Sequence, residues 1–248
     1  MKFGSIAAGN KTTVQSARDI LECGGNAFDA AVGAVFTSMV SEFTLTGPGG
    51  GGAFLAYPNG KEPILFDFFV DTPPPQPNKD LDFFSILIDY GSEKQEFHMG
   101  LGSIAVPGNT AGLLMVHKRL GKLPLRTVLE PAIETARKGV ILNESHGYII
   151  QMLAPILTHT SAGKKLFTSE GEILKEGDNF QNPSFADFLE ELILYGPDFF
   201  YKGLGAKLIL ETIGTKGLLT SACLANYEVI ERTPLKIKFL NKTFYTNP

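Results

Sequence analysis

The amino-acid sequence predicts an α+β fold. Three observations carry that prediction: two helical patterns near the start, two β-type runs joined by a turn directly after them, and a series of helical patterns from Pro107 onward that gives way to an alternating tail.

After an apolar SIAAG stretch, Thr12-Thr13-Val14-Gln15 has the form of a capping box, in which hydroxyl and amide side chains satisfy the orphan N–H groups of a helix start. Val14, Ala17, Ile20 and Leu21 then share a face, and Gly24-Gly25 ends the helix. A second helix begins near Asn26 and carries Phe28, Val32, Val35, Phe36, Met39 and Val40 at offsets of three and four. Small Ala and Gly lie between them, a pattern that predicts close packing against a sheet. TLTGPGGGG leads into AFLAY and EPILFDFF, two strands joined by an Asn59-Gly60 hairpin turn. The helix pair thus precedes the sheet.

Pro73, Pro74, Pro75 and Pro77 lack the N–H that a ladder needs, so DTPPPQPNKD is a loop. Short apolar segments at 84–88 and 103–106 flank a polar stretch containing Gln95, Glu96 and His98. TAGLLMVHKRLG, LRTVLEPAIETARKG, GYIIQMLAPILTH, SFADFLEELILYG and a stretch through Gly205 to Ile213 read as helices, most of them punctuated by Gly or Pro. TPLKIKFLNKTFYTNP alternates about Asn241 as a hairpin does. No internal repeat or low-complexity linker interrupts the chain. Residues 1–248 therefore read as one domain: a helix pair with strands (1–106), a mainly helical elaboration (107–220) and a returning hairpin (221–248).

Composition narrows the function. With 248 residues, 44% of them hydrophobic, and two cysteines, the chain is long enough to bury a core and is neither disordered nor a disulfide scaffold. A net charge of -4 argues against a phosphate-backbone binder, so nucleic acid is not an expected partner. Cys23 and Cys223 stand far apart without a CxxC or His-rich neighbourhood, which suggests small buried hydrophobes rather than a zinc or redox site. The N-terminus has no apolar signal region, and the nearly apolar run at 30–40 is too short to span a bilayer. No membrane association is expected. The expected location is cytoplasmic, with a periplasmic or secreted location left open by the removal of a signal peptide.

The chemistry-bearing patterns each have a plain alternative. Gly47, Gly49 and Gly52 form a nominal GxGxxG, but the dinucleotide fingerprint needs a strand before it and a helix after it, and here the order is reversed. The run instead marks a turn whose backbone adopts positive φ or approaches another segment closely, near a working surface. GLGSIAVPG has Leu101 where a nucleophile elbow has its first Gly. His98, His117, His146 and His159 show no ligand spacing. His117, beside Lys118 and Arg119, reads as part of a solvated face, and His98 as a structural hydrogen-bonding residue. Asp67 and Asp71 bracket the end of a strand that runs into the proline loop, where a site carboxylate and a turn-starting Asp fit equally well.

Several stretches together resemble the gamma-glutamyltranspeptidase family. They are AAGNKTTVQSARDILECGGNAFDAAVGAVFTSMVSE, TGPGGGGAFLAY, GLGSIAVPGNTAGLLMVHKRLGKLPLRTVLEPAIETARKGV, and FFYKGLGAKLILETI with GLLTSACLANYEVIERTPLKIKFLNKTFYTNP, in the family's order. The resemblance implies an N-terminal nucleophile hydrolase fold, a four-layer αββα sandwich made as a self-cleaving precursor. Cleavage frees a Thr whose own α-amino group activates its hydroxyl against a gamma-glutamyl amide, with backbone donors stabilising the oxyanion. The acyl group then passes to water or an acceptor amine. No cofactor or metal is implied.

The family's Thr-Thr-His segment and downstream Gly-Gly pair do not occur in this sequence, so no catalytic residue is assigned here. The resemblance therefore makes this chain the large-subunit portion of such an enzyme, inactive alone. Its expected partners are a C-terminal small subunit, or the remainder of the precursor, and a gamma-glutamyl compound such as glutathione. Substrate-lining positions are expected at Phe69, Asp67, Gly49, Gly50, Gly51 and Gly52. Where gamma-glutamyl-specific members read roughly DFRETAP, with an Arg that clamps the substrate carboxylate, this chain reads DFFVDTPPP and places Phe69 at that position; either another cation does this work or the substrate lacks that carboxylate, and in lacking the Arg the chain is nearer to acylase-like relatives. The competing expectation is a non-catalytic interaction module of the same fold, associating into higher oligomers through unpaired strand edges.

Overall fold

The computed structural model describes residues 4–77 and 79–247. In chain order the helices are α1 (Lys11–Glu22), α2 (Ala27–Ser41), α3 (Asn109–Leu120), α4 (Leu125–Lys138), α5 (Glu144–Leu157), α6 (Ser161–Phe167), α7 (Pro183–Tyr195), α8 (Pro197–Tyr201), α9 (Leu204–Ile213) and α10 (Ser221–Ala225). The strands are β1 (Gly52–Ala56), β2 (Ile64–Phe68), β3 (Phe84–Asp89), β4 (Lys94–Met99), β5 (Val140–Ile141), β6 (Thr168–Ser169), β7 (Glu172–Ile173), β8 (Asn179–Phe180), β9 (Ile230–Arg232), β10 (Leu235–Phe239) and β11 (Lys242–Thr246). The architecture is mixed α+β, as the sequence predicts. Asn78, in the proline loop, and Pro248, in the tail, lie outside the described residues.

The first helix starts two residues earlier than expected. Asn10, not Thr12, is its N-cap and accepts the Thr12 N–H, while Gln15 spends its amide on Asp19. Thr12 and Thr13 already lie inside the helix, which frees the Thr13 hydroxyl to donate to Glu42 (2.7 Å) and to meet Ser41 Oγ at 2.8 Å. Thr37 donates to Ser16 in the same buried seam. The face α1 buries is thus Thr13, Ser16, Ala17 and Ile20, half of it polar, with Val14 and Leu21 at its margin.

In α2 the cap is the expected one. The Asn26 side chain accepts from Phe28 and Asp29 N–H, and Asp29 reciprocates to Asn26 N–H. Asp29 is wholly buried and also accepts from the N–H groups of Lys122 and Leu123, while Asn26 Nδ2 donates to Leu120 O at 2.7 Å. This knot ties the start of α2 to the turn between α3 and α4. The expected sheet contact of α2 is not what forms: α2 lies among α1, α3 and α4. Gly33 explains why, because a Cβ there would overlap Ile20 of α1 and press on the Val128 carbonyl of α4 at 2.6 Å. A backbone that close leaves room for helices on both sides.

The central sheet has the order β1-β2-β9, all antiparallel. Pro58-Asn59-Gly60-Lys61 does form a turn, with Gly60 at φ +71 and Lys61 N–H on Pro58 O, but inside a longer 57–63 connection. The two-residue hairpin turn occurs instead at Leu240-Asn241, where both residues have positive φ between β10 and β11. The polar stretch around Glu96 is itself a strand, β4, paired with β3 in a largely exposed ribbon. The 103–106 segment contributes only a bridge from Val106 to Asp71. Short β9 rejoins the sheet, and the tail hairpin stands as a separate pair. No helix among the described residues is long and apolar enough to cross a membrane.

Removing the buried Asp29 carboxylate leaves part-buried N–H donors of Asn26, Lys122 and Leu123 without their acceptor, a loss of about 1–3 kcal/mol. We expect Asp29→Ala to lower the urea midpoint accordingly, and an unchanged midpoint would contradict the knot.

Candidate functional site

The glycine run sits where β1, β2 and the start of α3 meet. None of Gly47, Gly49, Gly50, Gly51 and Gly52 adopts positive φ, and close approach is the reason for glycine at Gly50, Gly51 and Gly52, whereas Gly47 has open space. A Cβ on Gly51 would lie 2.6 Å from Val70 N and 2.8 Å from Phe68 O, and one on Gly52 would touch the Phe68 ring. Gly49 is exposed with open space around it. The Gly50 carbonyl accepts from both Gly108 and Asn109 N–H, each at 2.9 Å, and Asn109 Nδ2 donates to Gly47 O. The run enters a strand and offers its carbonyl, not its amides, to a helix start, which is the opposite polarity to a pyrophosphate cradle.

Beneath the turn, α3 rests on β2 through Gly108 and Gly112, one helical turn apart. A Cβ on either would overlap Phe68. Phe66 and Phe68 therefore point to the helices and are buried, while Leu65, itself buried, and Asp67 face the other way. Asp67 accepts from Arg232 Nε at 2.7 Å and from Phe69 N–H at 3.1 Å. The Arg232 bond first, and the Phe69 bond second, hold its carboxyl below the usual carboxylate range. Phe69 is 68% exposed. Its carbonyl accepts from the Tyr227 hydroxyl at 2.8 Å. Burial, helped by the charges of Asp71 and Asp67, raises the Tyr227 phenol, which keeps this donor protonated. Tyr227 stacks on Tyr201, whose hydroxyl donates to Pro107 O and accepts from Ala111 N–H.

The structure thus brings together Asp67, Phe69 and the glycine turn, and adds Asn109, Tyr227 and Arg232, which sequence reading did not single out. Only the VPGN helix start hinted at Asn109. Tyr227 and Arg232 are more than 150 residues from their partners and gave no local signal. A cleft of about 340 Å³ is lined by Asp71, Thr72, Gln76, Cys223, Asn226 and Tyr227.

Other candidates fall away from this place. His117 is not on a solvated face: its Nε2 lies 2.9 Å from Leu123 O and 3.8 Å from buried Asp29, part of the α2 knot. His98 stacks on Phe83 rather than acting through a hydrogen bond among the described residues. His146 is buried, caps α5 and stacks on Phe43. His159 lies against Phe84. Cys23 is exposed at the end of α1, contrary to expectation, because the chain turns outward there at Gly24. Cys223 is half-buried and accepts from Thr220. Among the described residues no group of His, Cys, Asp and Glu is arranged to hold a metal ion.

Two outcomes follow from this geometry. Gly51→Ala drives a methyl into the Phe68–Val70 backbone, a loss of about 1–3 kcal/mol readable as a lowered thermal midpoint. An equal midpoint would show the crossing to be looser than described. Asp67 has a folded pKa below its unfolded value, so the stability it lends is complete above about pH 4 and is lost as pH falls through the folded value. Asp67→Asn should therefore flatten the acid limb of stability against pH, and a limb identical to wild type would remove Asp67 from the linkage.

Comparison with known proteins gives the same picture from the outside. Residues 13–248 match the family described as Gamma-glutamyltranspeptidase. The chain is 34% identical over 247 residues to the glutathione hydrolase proenzyme of Pseudomonas aeruginosa, covering 99% of this chain and 42% of that protein. It is 32% identical over 251 residues to the glutathione hydrolase proenzyme of Escherichia coli, covering 100% of this chain and 42% of that protein. The structure of gamma-glutamyltranspeptidase from Pseudomonas nitroreducens complexed with L-DON superposes with a TM-score of 0.83 at 31% identity, over 100% of this chain and 72% of that one. The chain thus spans about two fifths of the length of these curated relatives. With the match running over all but its first twelve residues, the chain belongs to the gamma-glutamyltranspeptidase family and corresponds to the N-terminal, large-subunit portion of its members.

Proposed function

We propose that this chain is the large-subunit part of an amidohydrolase that transfers or hydrolyses gamma-glutamyl or related acyl groups. The nucleophilic Thr would come from a C-terminal segment of the same precursor. The observation that carries this reading is the open face of the β1-β2-β9 sheet. One side is covered by α3, while on the other Leu55 is 40% and Ile230 50% exposed beside a buried Leu65, and Phe69, just past the end of β2, is 68% exposed. An apolar sheet face needs a second layer. In this reading the missing layer is the small subunit, which completes an αββα sandwich and brings its hydroxyl and free amine to Phe69, Asp67 and the glycine turn.

Phe69 sets the substrate class. A phenyl ring offers no donor to a carboxylate, so the position that is an Arg in gamma-glutamyl-specific members gives an apolar wall here, nearer to the acylase-like pattern. Glutathione, named in the relatives, remains the first gamma-glutamyl compound to assay. Residues 1–248 act in this account as one part of a single hydrolase domain.

The assay is turnover of gamma-glutamyl p-nitroanilide. The 248-residue chain alone should release no nitroaniline, and the precursor that continues into the Thr-bearing segment should release it after self-cleavage. Turnover by the chain alone would overturn the reading. A cleaved, folded and inactive precursor would favour the non-catalytic module.

A further inference from the structure

The helices α7, α8 and α9 border a cleft of about 610 Å³ whose lining includes none of the candidate-site residues. Its walls are formed by Glu191, Tyr195, Asp198, Phe199, Lys202 and Leu204. The apolar members are not shielded: Tyr195 is 64% and Leu204 58% exposed, and Leu208, one turn further along α9, is 52% exposed. Tyr195 stacks on Phe199, which packs against the core, so this aromatic wall has a fixed position.

The pattern of α9 accounts for the exposure. Ala206 and Ile213 are buried, and Ile209 and Leu210 pack on the core, so the helix already has a complete inner face. Leu204, Leu208 and Glu211 fall on the opposite side, at the spacing of successive turns, where a surface helix carries polar groups. An apolar stripe that runs out of a cleft along the outer side of a helix marks a contact surface.

Charge decides the occupant. Lys202 stands before the stripe and Glu211 at its end, with Leu204 and Leu208 between them. Within one copy they make only exposed pairings, Lys202 with Asp198 at 3.1 Å and Glu211 with Lys207 at 3.8 Å, which stabilise little. Turned end over end, the stripe matches itself. Two α9 helices laid antiparallel about a two-fold axis midway between Leu204 and Leu208 set Leu208 of each copy against Leu204 and Tyr195 of the other. At a rise of about 1.5 Å per residue, Lys202 and Glu211 lie nearly equal distances on either side of that axis, roughly 6–8 Å, so each Glu211 meets the partner's Lys202. A rim with both signs does not select a strongly acidic or basic foreign partner.

We propose that the α7–α9 surface is a two-fold interface between copies of this chain, with Leu208 seated at the partner's cleft and Lys202 and Glu211 paired across both ends. It uses none of the residues around Phe69. It therefore stands apart from the acyl-transfer reading and from association through strand edges.

Sedimentation velocity of the full chain between about 1 and 300 μM should show a monomer–dimer equilibrium. Leu208→Ser, Lys202→Glu and Glu211→Lys should each raise the dissociation constant about tenfold or more, with far-UV circular dichroism as in the wild type. The decisive sample is an equimolar mixture of the Lys202→Glu and Glu211→Lys chains. Each chain repels its own copy, whereas the mixed pair has opposite charges at both contacts and should regain the wild-type constant. Mixing cannot mend a folding defect, and Leu208→Ser reads the same contact without a change of charge. A wild-type chain that stays monomeric over this range overturns the proposal. So does an association that all three variants leave unchanged, the result expected of strand-edge pairing, or a mixture that binds no tighter than its components.

Discussion

The carbonyl of Gly50 is the contact on which the arrangement of the candidate site depends. By accepting from both Gly108 and Asn109, it fixes the glycine turn to the first turn of α3, and the return bond from Asn109 to Gly47 closes the clasp. The orphan amides of a helix start usually look to side chains or water. Here they take a main-chain carbonyl from a strand entry, so helix and sheet edge cannot shift separately. Gly108 and Gly112 let Phe68 press directly onto the α3 backbone, and Gly51 lets the 68–70 backbone pass beneath the turn. Each glycine is therefore required by a neighbour rather than by its own dihedral angles.

A second knot holds the helical layer behind the sheet. Buried Asp29 takes N–H donors from its own cap and from the 122–123 turn, and His117 leans on the same turn. A buried carboxylate is tolerable when its oxygens are matched, and it then defines geometry more sharply than apolar packing does. Together with the Thr13–Ser41–Glu42 and Ser16–Thr37 seam, it sets α1, α2 and α4 against one another before the sheet is reached. The site thus rests on a helical base held by these polar contacts.

The open sheet face links architecture to function. Leu55 and Ile230 are exposed on the face opposite α3, where Arg232 pairs with Asp67 through Nε. Tyr201 and Tyr227 reach this face from behind, tying Phe69 to the start of α3 through Pro107 and Ala111. The proposed substrate wall is accordingly braced at its carbonyl, at its amide and through the glycine crossing above it.

The sequence alone determined the elements whose causes are local. The Asn26 cap, the α2 periodicity, the β1 and β2 runs, the helices after Pro107 and the tail hairpin are each written in a few neighbouring residues. Asp67 and the glycine run stood out locally, as a strand end and a turn, whereas Phe69 was singled out only by the family resemblance. Where distant residues competed for the same groups, local reading failed. Asn10 displaced Thr12 as a cap, Gly33 exchanged a sheet for two helices, and the Asn59-Gly60 turn became part of a longer loop. Only the tertiary structure decided that Arg232 meets Asp67 and Tyr227 meets Phe69. Those contacts depend on the pairing of β9 with β2 and on the path of a helical section that separates the partners by more than 150 residues. Strand pairing over such a distance is set by the packing of the whole chain, and no spacing pattern within the sequence encodes it.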